Sequence, residues 1–165
     1  MVRLHRSSIL LAALSIAQIG ILFVANAAAS SGPAPGRYKI ARPDRAMVVN
    51  EFELVGTDKI NGDIWEVISI GQHGTYTLND VTGQSFLSFV KPPVRGGGVF
   101  PVENVLEAGK FRLQRIHGTK DTYRIVPFGK PPLSIQEAAS YGVMLRDCLP
   151  DSDTGDQWTF VHVLD

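Results

Sequence analysis

The sequence predicts an all-β domain, a β-trefoil of twelve short strands in three pseudo-repeats, set behind an N-terminal leader. Three observations predict it. Short apolar runs alternate with polar residues at the two-residue period of half-buried strands. Clusters of Gly, Pro, Asn and Asp punctuate those runs. The runs also fall into three similar sets in the same order. Helical signal is weak and confined to one turn over residues 136–140, QEAAS.

The first 29 residues stand apart from the rest. They carry Arg3 and Arg6, then an almost wholly apolar run over 7–28, then the small-residue exit ANAAAS. A basic start, an apolar middle and an A-x-A exit are the parts of a secretory signal peptide. Cleavage is expected after Ala27 or Ala29. The alternative is an uncleaved anchor, since ~20 apolar residues can span a bilayer. The expectation is a secreted domain over 30–165, with no stable membrane association after cleavage.

The first unit, about 36–73, opens with GRYKI, continues through Met47-Val48-Val49 and Phe52-Glu53-Leu54-Val55, and closes with WEVISI from Trp65. The second, about 74–119, repeats this as GTYTL, FLSF from Phe86, VFPV from Val99 and FRLQRI from Phe111. The third, about 120–165, does so as DTYRI, Leu133-Ser134-Ile135, Val143-Met144-Leu145 and WTFVHV from Trp158. Tyr38 to Trp65 spans 27 residues, and Tyr76 to Phe111 and Tyr123 to Trp158 each span 35, so the last two units keep one register. Twelve strands in three such units form a closed β architecture, which removes unpaired edges and suits a monomer. The tyrosines and closing aromatics then point inward as core.

Composition excludes several function classes. Of sixteen basic residues the leader holds Arg3 and Arg6, leaving fourteen against sixteen acidic, a net charge of −2. No basic stripe exists for nucleic acid. Cys148 is the only cysteine, so no internal disulfide forms and an apolar core must hold the domain. Asp147 and Asp151 beside it disfavour a thiolate, which marks a buried or half-buried thiol rather than a nucleophile. No N-x-S/T sequon occurs. His5, His73, His117 and His162 show no metal-ligand spacing, and there is no G-x-S-x-G elbow. His73-Gly74 and His117-Gly118 read as turns, and Asp80, Asp147, Asp151 and Asp153 as turn acids. Neither an enzyme, a metal nor a cofactor is expected.

The unit G-x-Y-x-[IL], a strand, then W-x-[VF] resembles two groups of trefoils. One is the ricin-B-type lectins, whose repeats carry Y-x-I-x-N-x-x-S-G-K-x-L-D-V and end in Q-x-W. The other is the fungal serine protease inhibitors of the cospin type. The lectin resemblance implies a sugar-binding aspartate in each unit, but those places fall on Val49, Ser88 and Ser134, which cannot accept two charge-assisted bonds from sugar hydroxyls. Gln157 beside Trp158 is read as the one survivor of the Q-x-W triplet. A ricin-type sugar site is therefore not expected in any unit.

The inhibitor resemblance implies a stiff, extended loop that enters a protease cleft, since preorganisation limits the entropy lost on binding. KPPVRGGGVFP, residues 91–101, is the first candidate, with Val94, Arg95 and Gly96 at its centre. Two prolines extend its start, Arg95 suits the acidic pocket of a trypsin-like enzyme, and the three glycines add flexibility. ARPDRAM, residues 41–47, is the second, with Arg42 before a proline and Arg45-Ala46 as the presented bond. Lys130 is a third, made poor by Pro131. The first expectation is thus a secreted trypsin-like protease inhibitor with a target protease as partner. The alternative is a carbohydrate-binding trefoil with a non-standard site and glycans as partners. A module that binds another protein is the third reading.

Overall fold

The computed structural model describes residues 32–50, 55–59, 62–71, 74–129, 132–140 and 142–164. The expected leader, the residues Phe52-Glu53-Leu54, His73 and Lys130 lie outside the described residues. Among the described residues the strands come in three sets of four. The first set is β1 (Gly36–Arg42), β2 (Arg45–Val49), β3 (Val55–Asp58) and β4 (Ile64–Ser69). The second is β5 (Thr75–Asp80), β6 (Ser85–Phe89), β7 (Val99–Val102) and β8 (Phe111–Arg115). The third is β9 (Thr122–Pro127), β10 (Leu133–Glu137), β11 (Val143–Asp147) and β12 (Trp158–His162).

Six strands close a barrel. β1 pairs with β4, β4 with β5, β5 with β8, β8 with β9, β9 with β12, and β12 returns to β1, all antiparallel. The remaining strands form the hairpins β2–β3, β6–β7 and β10–β11. Bridges Gly56–Gly142 and Gly98–Met144 link the third hairpin to the other two. This is the β-trefoil that the repeats predict.

The core obeys the threefold pattern. Tyr38, Tyr76 and Tyr123 are buried, as are Ile40, Leu78 and Ile125 on the same strands. Met47, Leu87 and Ile135 form the next layer, closed by Trp65, Phe111 and Trp158, all six fully enclosed. Each such side chain contributes ~1.5–3 kcal/mol by leaving water. Edge-on ring pairs knit the layers, among them Tyr38–Phe160 at 5.8 Å, Tyr123–Phe160 at 5.2 Å and Phe89–Phe111 at 5.3 Å between centroids.

One place in the pattern changes its chemistry between units. Trp65 donates its indole N–H to the Met47 carbonyl (3.2 Å), and Trp158 donates to the Ile135 carbonyl (2.9 Å). Phe111 has no such donor, and the equivalent Leu87 carbonyl accepts from the Gly109 amide (2.8 Å), as the Met47 carbonyl also accepts from the Asp63 amide (3.1 Å). The approach at residue 109 leaves no room for a side chain. A Cβ there would lie 2.8 Å from the Phe111 ring and 2.9 Å from the Leu87 oxygen.

The helical turn expected over 136–140 does not form. Gln136 and Glu137 end β10, paired with Met144 and Val143, because Leu133 and Ile135 carry the strand into the core. The one helical turn among the described residues is a 3₁₀ segment, Val105–Glu107, whose Leu106 amide donates to the Asn104 side chain (2.9 Å).

Candidate functional site

The places of the ricin-type aspartates are turned to structural use. Ser88 is buried and donates its hydroxyl to the Glu107 carbonyl (2.8 Å). Ser134 is fully enclosed and donates to Asp156 Oδ2 (2.9 Å). The residue two places before Trp158, where a Q-x-W glutamine belongs, is Asp156; this corrects the reading of Gln157. The Gln157 side chain donates instead to the Asp151 and Asp153 carbonyls (2.8 and 2.9 Å). Asp156 is wholly buried and accepts from Arg124 Nε (2.6 Å), Ser134 Oγ and the Leu149 amide (3.0 Å). Burial opposes the Arg124 charge, but the bond to Asp156 and its charge outweigh that and hold the guanidinium above its ordinary range.

Cys148 is free and half-buried beside this network. Burial is the main cause that pushes its thiol up, with Asp156 and Asp147 adding to it against Ser134 and Arg124. Of the acids read from the sequence, Asp147 contributes; Asp156 takes the place expected of Asp151, and burial is the larger cause.

The two arginine loops differ sharply. Arg42 ends β1 and Arg45 begins β2, facing each other across a two-residue turn. Their side chains are only 18% and 12% exposed and share Glu137, with N–O distances of 3.8 and 3.6 Å. Arg42 also donates to the Gly155 carbonyl (2.9 Å) and lies over the Trp158 ring. Ala46 sits in the ladder between Ala41 and Asp58. Ion pairs and strand pairing draw this hairpin against the barrel.

The 90–98 loop is held at several points. Lys91 Nζ donates to the Glu107 carbonyl (2.9 Å), the Gly96 amide to the Leu145 carbonyl (2.7 Å), and the Leu145 amide to the Gly97 carbonyl (2.9 Å). The glycines therefore serve close pairing with β11 rather than freedom. At the tip Val94 is about half exposed, and the Arg95 side chain is 77% exposed, 3.3 Å from Asp147.

A cleft of about 310 Å³ opens where the first unit meets the second, in the size range of small-ligand sites. Val49, Asp63, Asp80, Ser85, Pro101 and Glu103 line it. The end of β2 and the approach to β4 bring Val49 and Asp63; the β5–β6 turn brings Asp80 and Ser85; the end of β7 brings Pro101. Asp63 Oδ2 accepts from the Val49 amide (2.6 Å). Asp80 is buried, and its two oxygens accept from the Thr82 and Gly83 amides (3.0 Å each). A Cβ on Gly83 would stand 2.5 Å from Asp80 Oδ2, so the turn needs glycine to wrap the carboxylate. Burial, then the charge of Asp80, raises the Asp63 pKa, against the Val49 amide. The Ser85 hydroxyl is buried with no hydrogen-bond partner among the described residues, and a buried polar atom left so costs ~1–3 kcal/mol.

Sequence reasoning placed Asp80 in a turn but missed Asp63, Ser85 and Glu103 as a group. The available signal was Asp63, which stands two residues before Trp65 as Asp156 stands before Trp158. Among the described residues no three His, Cys, Asp or Glu groups close on a point that a metal ion could occupy. No helix among them is long and apolar enough to cross a membrane.

No protein-family profile and no curated protein matches this sequence. The fold, however, is shared with solved β-trefoils. A ricin B-like lectin of Macrolepiota procera, solved in complex with lactose, superposes with a TM-score of 0.65 at 14% identity, covering 79% of this chain and 98% of that one. The Rhizoctonia solani agglutinin gives a TM-score of 0.65 at 12% identity over 80% and 98% of the two chains. The designed threefold-symmetric protein ThreeFoil gives 0.63 at 17% identity over 78% and 99%.

Proposed function

We propose that this protein is a carbohydrate-binding β-trefoil, not an enzyme, that acts outside the cell as a monomer. Its sugar site is the cleft between the first and second units. The observation that carries this reading is the cleft's make-up: fixed carboxylate acceptors, one buried hydroxyl in need of a partner, and an apolar flank from Val49 and Pro101. Carboxylates accept paired bonds from vicinal hydroxyls, and an apolar flank suits the C–H face of a sugar ring. The lectins among the fold neighbours support the class of ligand, while the loss of aspartate at Val49, Ser88 and Ser134 moves the site away from their pattern. The test is a glycan array followed by calorimetry on the best ligand. Ser85→Ala is expected to weaken binding about five- to tenfold, the worth of one hydrogen bond, while thermal stability rises, because the variant no longer buries an unpartnered hydroxyl. Absence of any glycan binding at micromolar protein would sink the reading.

A second reading rests on the Val94–Arg95 tip. A loop held at Lys91, Gly96 and Gly97 with Arg95 exposed has the stiffness that cleft blocking requires. On this reading the partner is a trypsin-like protease. Titration into trypsin, chymotrypsin and subtilisin tests it: trypsin inhibition lost in Arg95→Ala supports it, and no inhibition at micromolar protein rejects it.

A further inference from the structure

The charge of the cleft is one-sided. Asp63, Asp80 and Glu103 line it, and no Lys, Arg or His does so among the described residues. Asp80 is 1% exposed and held by two backbone amides, so its charge cannot swing away from Asp63. A neutral sugar leaves that repulsion in place, whereas a cation between the carboxylates relieves it. The acids do not close on a single point as metal ligands do, so the complement is a larger cation. The unpartnered Ser85 hydroxyl adds a polar contact, and Val49 and Pro101 add an apolar one.

We propose that the cleft selects sugars that carry a free ammonium group, unacetylated hexosamine units, over neutral or N-acetylated ones. The inference rests on the carbohydrate-binding reading and names the ligand within it. The ammonium supplies N–H donors to Asp63 and a charge that Asp63 and the buried Asp80 both attract. Ring hydroxyls meet Ser85 and Glu103. N-acetylation removes the charge and adds bulk, so it acts against binding twice.

The experiment is calorimetric titration of the full chain with a β-1,4-linked glucosamine tetramer, its fully N-acetylated twin and lactose, each at low and high salt. The glucosamine tetramer is expected to bind about tenfold or more tightly than its twin, as one partly screened charge dictates, with the preference shrinking in high salt. Asp63→Asn is expected to remove most of that preference, and Ser85→Ala to weaken the glucosamine tetramer further. Equal or tighter binding of the N-acetylated tetramer or of lactose overturns the inference and leaves carbohydrate binding standing. Binding of the glucosamine tetramer that neither variant alters also overturns it, as general surface attraction. No binding by any of the three sugars, with none on the array, ends both.

Discussion

Removal of the Asp156 carboxylate is the sharpest test of how the third unit is held. The carboxylate is fully enclosed, and one oxygen takes three donors: Arg124 Nε, Ser134 Oγ and the Leu149 amide. In Asp156→Ala the Arg124 side chain, 11% exposed, keeps only its Nη2 bond to the Leu149 carbonyl (2.6 Å) and the 3.3 Å pairing with Asp151. Breaking a buried pair costs ~3–5 kcal/mol, because the surviving charge stays buried. An orphaned Leu149 amide adds ~1–3 kcal/mol, while the partners that Arg124 retains offset part of the total. A loss of about 4 kcal/mol results, a large share of the ~5–15 kcal/mol available to a domain. Urea unfolding followed by tryptophan fluorescence measures it as a lower midpoint at unchanged slope. The double variant Arg124→Met with Asp156→Leu removes both charges and should recover most of the loss. A single-variant loss below about 1 kcal/mol, or a double variant no better than the single, would refute the reasoning.

Three other outcomes follow from the core and its edge. Gly109→Ala pushes a methyl against the Phe111 ring and the Leu87 carbonyl; overpacking of this kind costs ~1–3 kcal/mol, read as a lower thermal midpoint. Trp158→Phe should destabilise more than Trp65→Phe, since the Met47 carbonyl keeps the Asp63 amide (3.1 Å) when the indole goes, while the Ile135 carbonyl is left short of its indole donor; paired urea titrations that rank the two variants the other way would contradict this. Cys148, its thiol pushed up chiefly by burial, should react with iodoacetamide at pH 8 several-fold more slowly in the folded protein than after unfolding, as followed by mass spectrometry.

The fold was readable because its information is local and repeated three times. Tyr38, Tyr76 and Tyr123 each stand near the start of a unit's first strand with a buried aliphatic two residues on, and Trp65, Phe111 and Trp158 each close a unit, so every unit checks the others. The site was not readable, because its chemistry depends on which residues the barrel brings together. Asp80, read as a turn acid, in fact ends β5 and only its side chain caps the turn that follows, and nothing in the local sequence reveals that β4–β5 pairing sets it beside Asp63. Arg42 and Arg45 read as loop candidates between two strands, but both are mostly buried and share one carboxylate, Glu137 from β10. The QEAAS segment has helical composition, and the strand demanded by buried Leu133 and Ile135 overrides it.

The three junctions between units begin from one geometry and end with different charge. Four residues after the strand tyrosine stand Arg42, Asp80 and Pro127, and two residues before the closing aromatic stand Asp63, Gly109 and Asp156. Where the third unit meets the first, Arg42 has Glu137 and Asp156 has Arg124. Where the second meets the third, Gly109 and Pro127 carry no charge. Only the junction of the first and second units sets two carboxylates together with no basic residue in the described lining, so its fold stability is spent on something other than folding. The Asp63 pKa is raised above 3.8 by burial and then by Asp80. The folded state therefore holds more protons than the unfolded one across that window, and stability falls as pH rises through it. Above the window the penalty is present in full. Asp63→Asn keeps an oxygen for the Val49 amide and removes the charge, so its thermal midpoint should exceed the parent's at pH 7, with the gap closing towards pH 3. A variant less stable than the parent at pH 7 would show that the Asp63 carboxylate serves the fold and not a ligand.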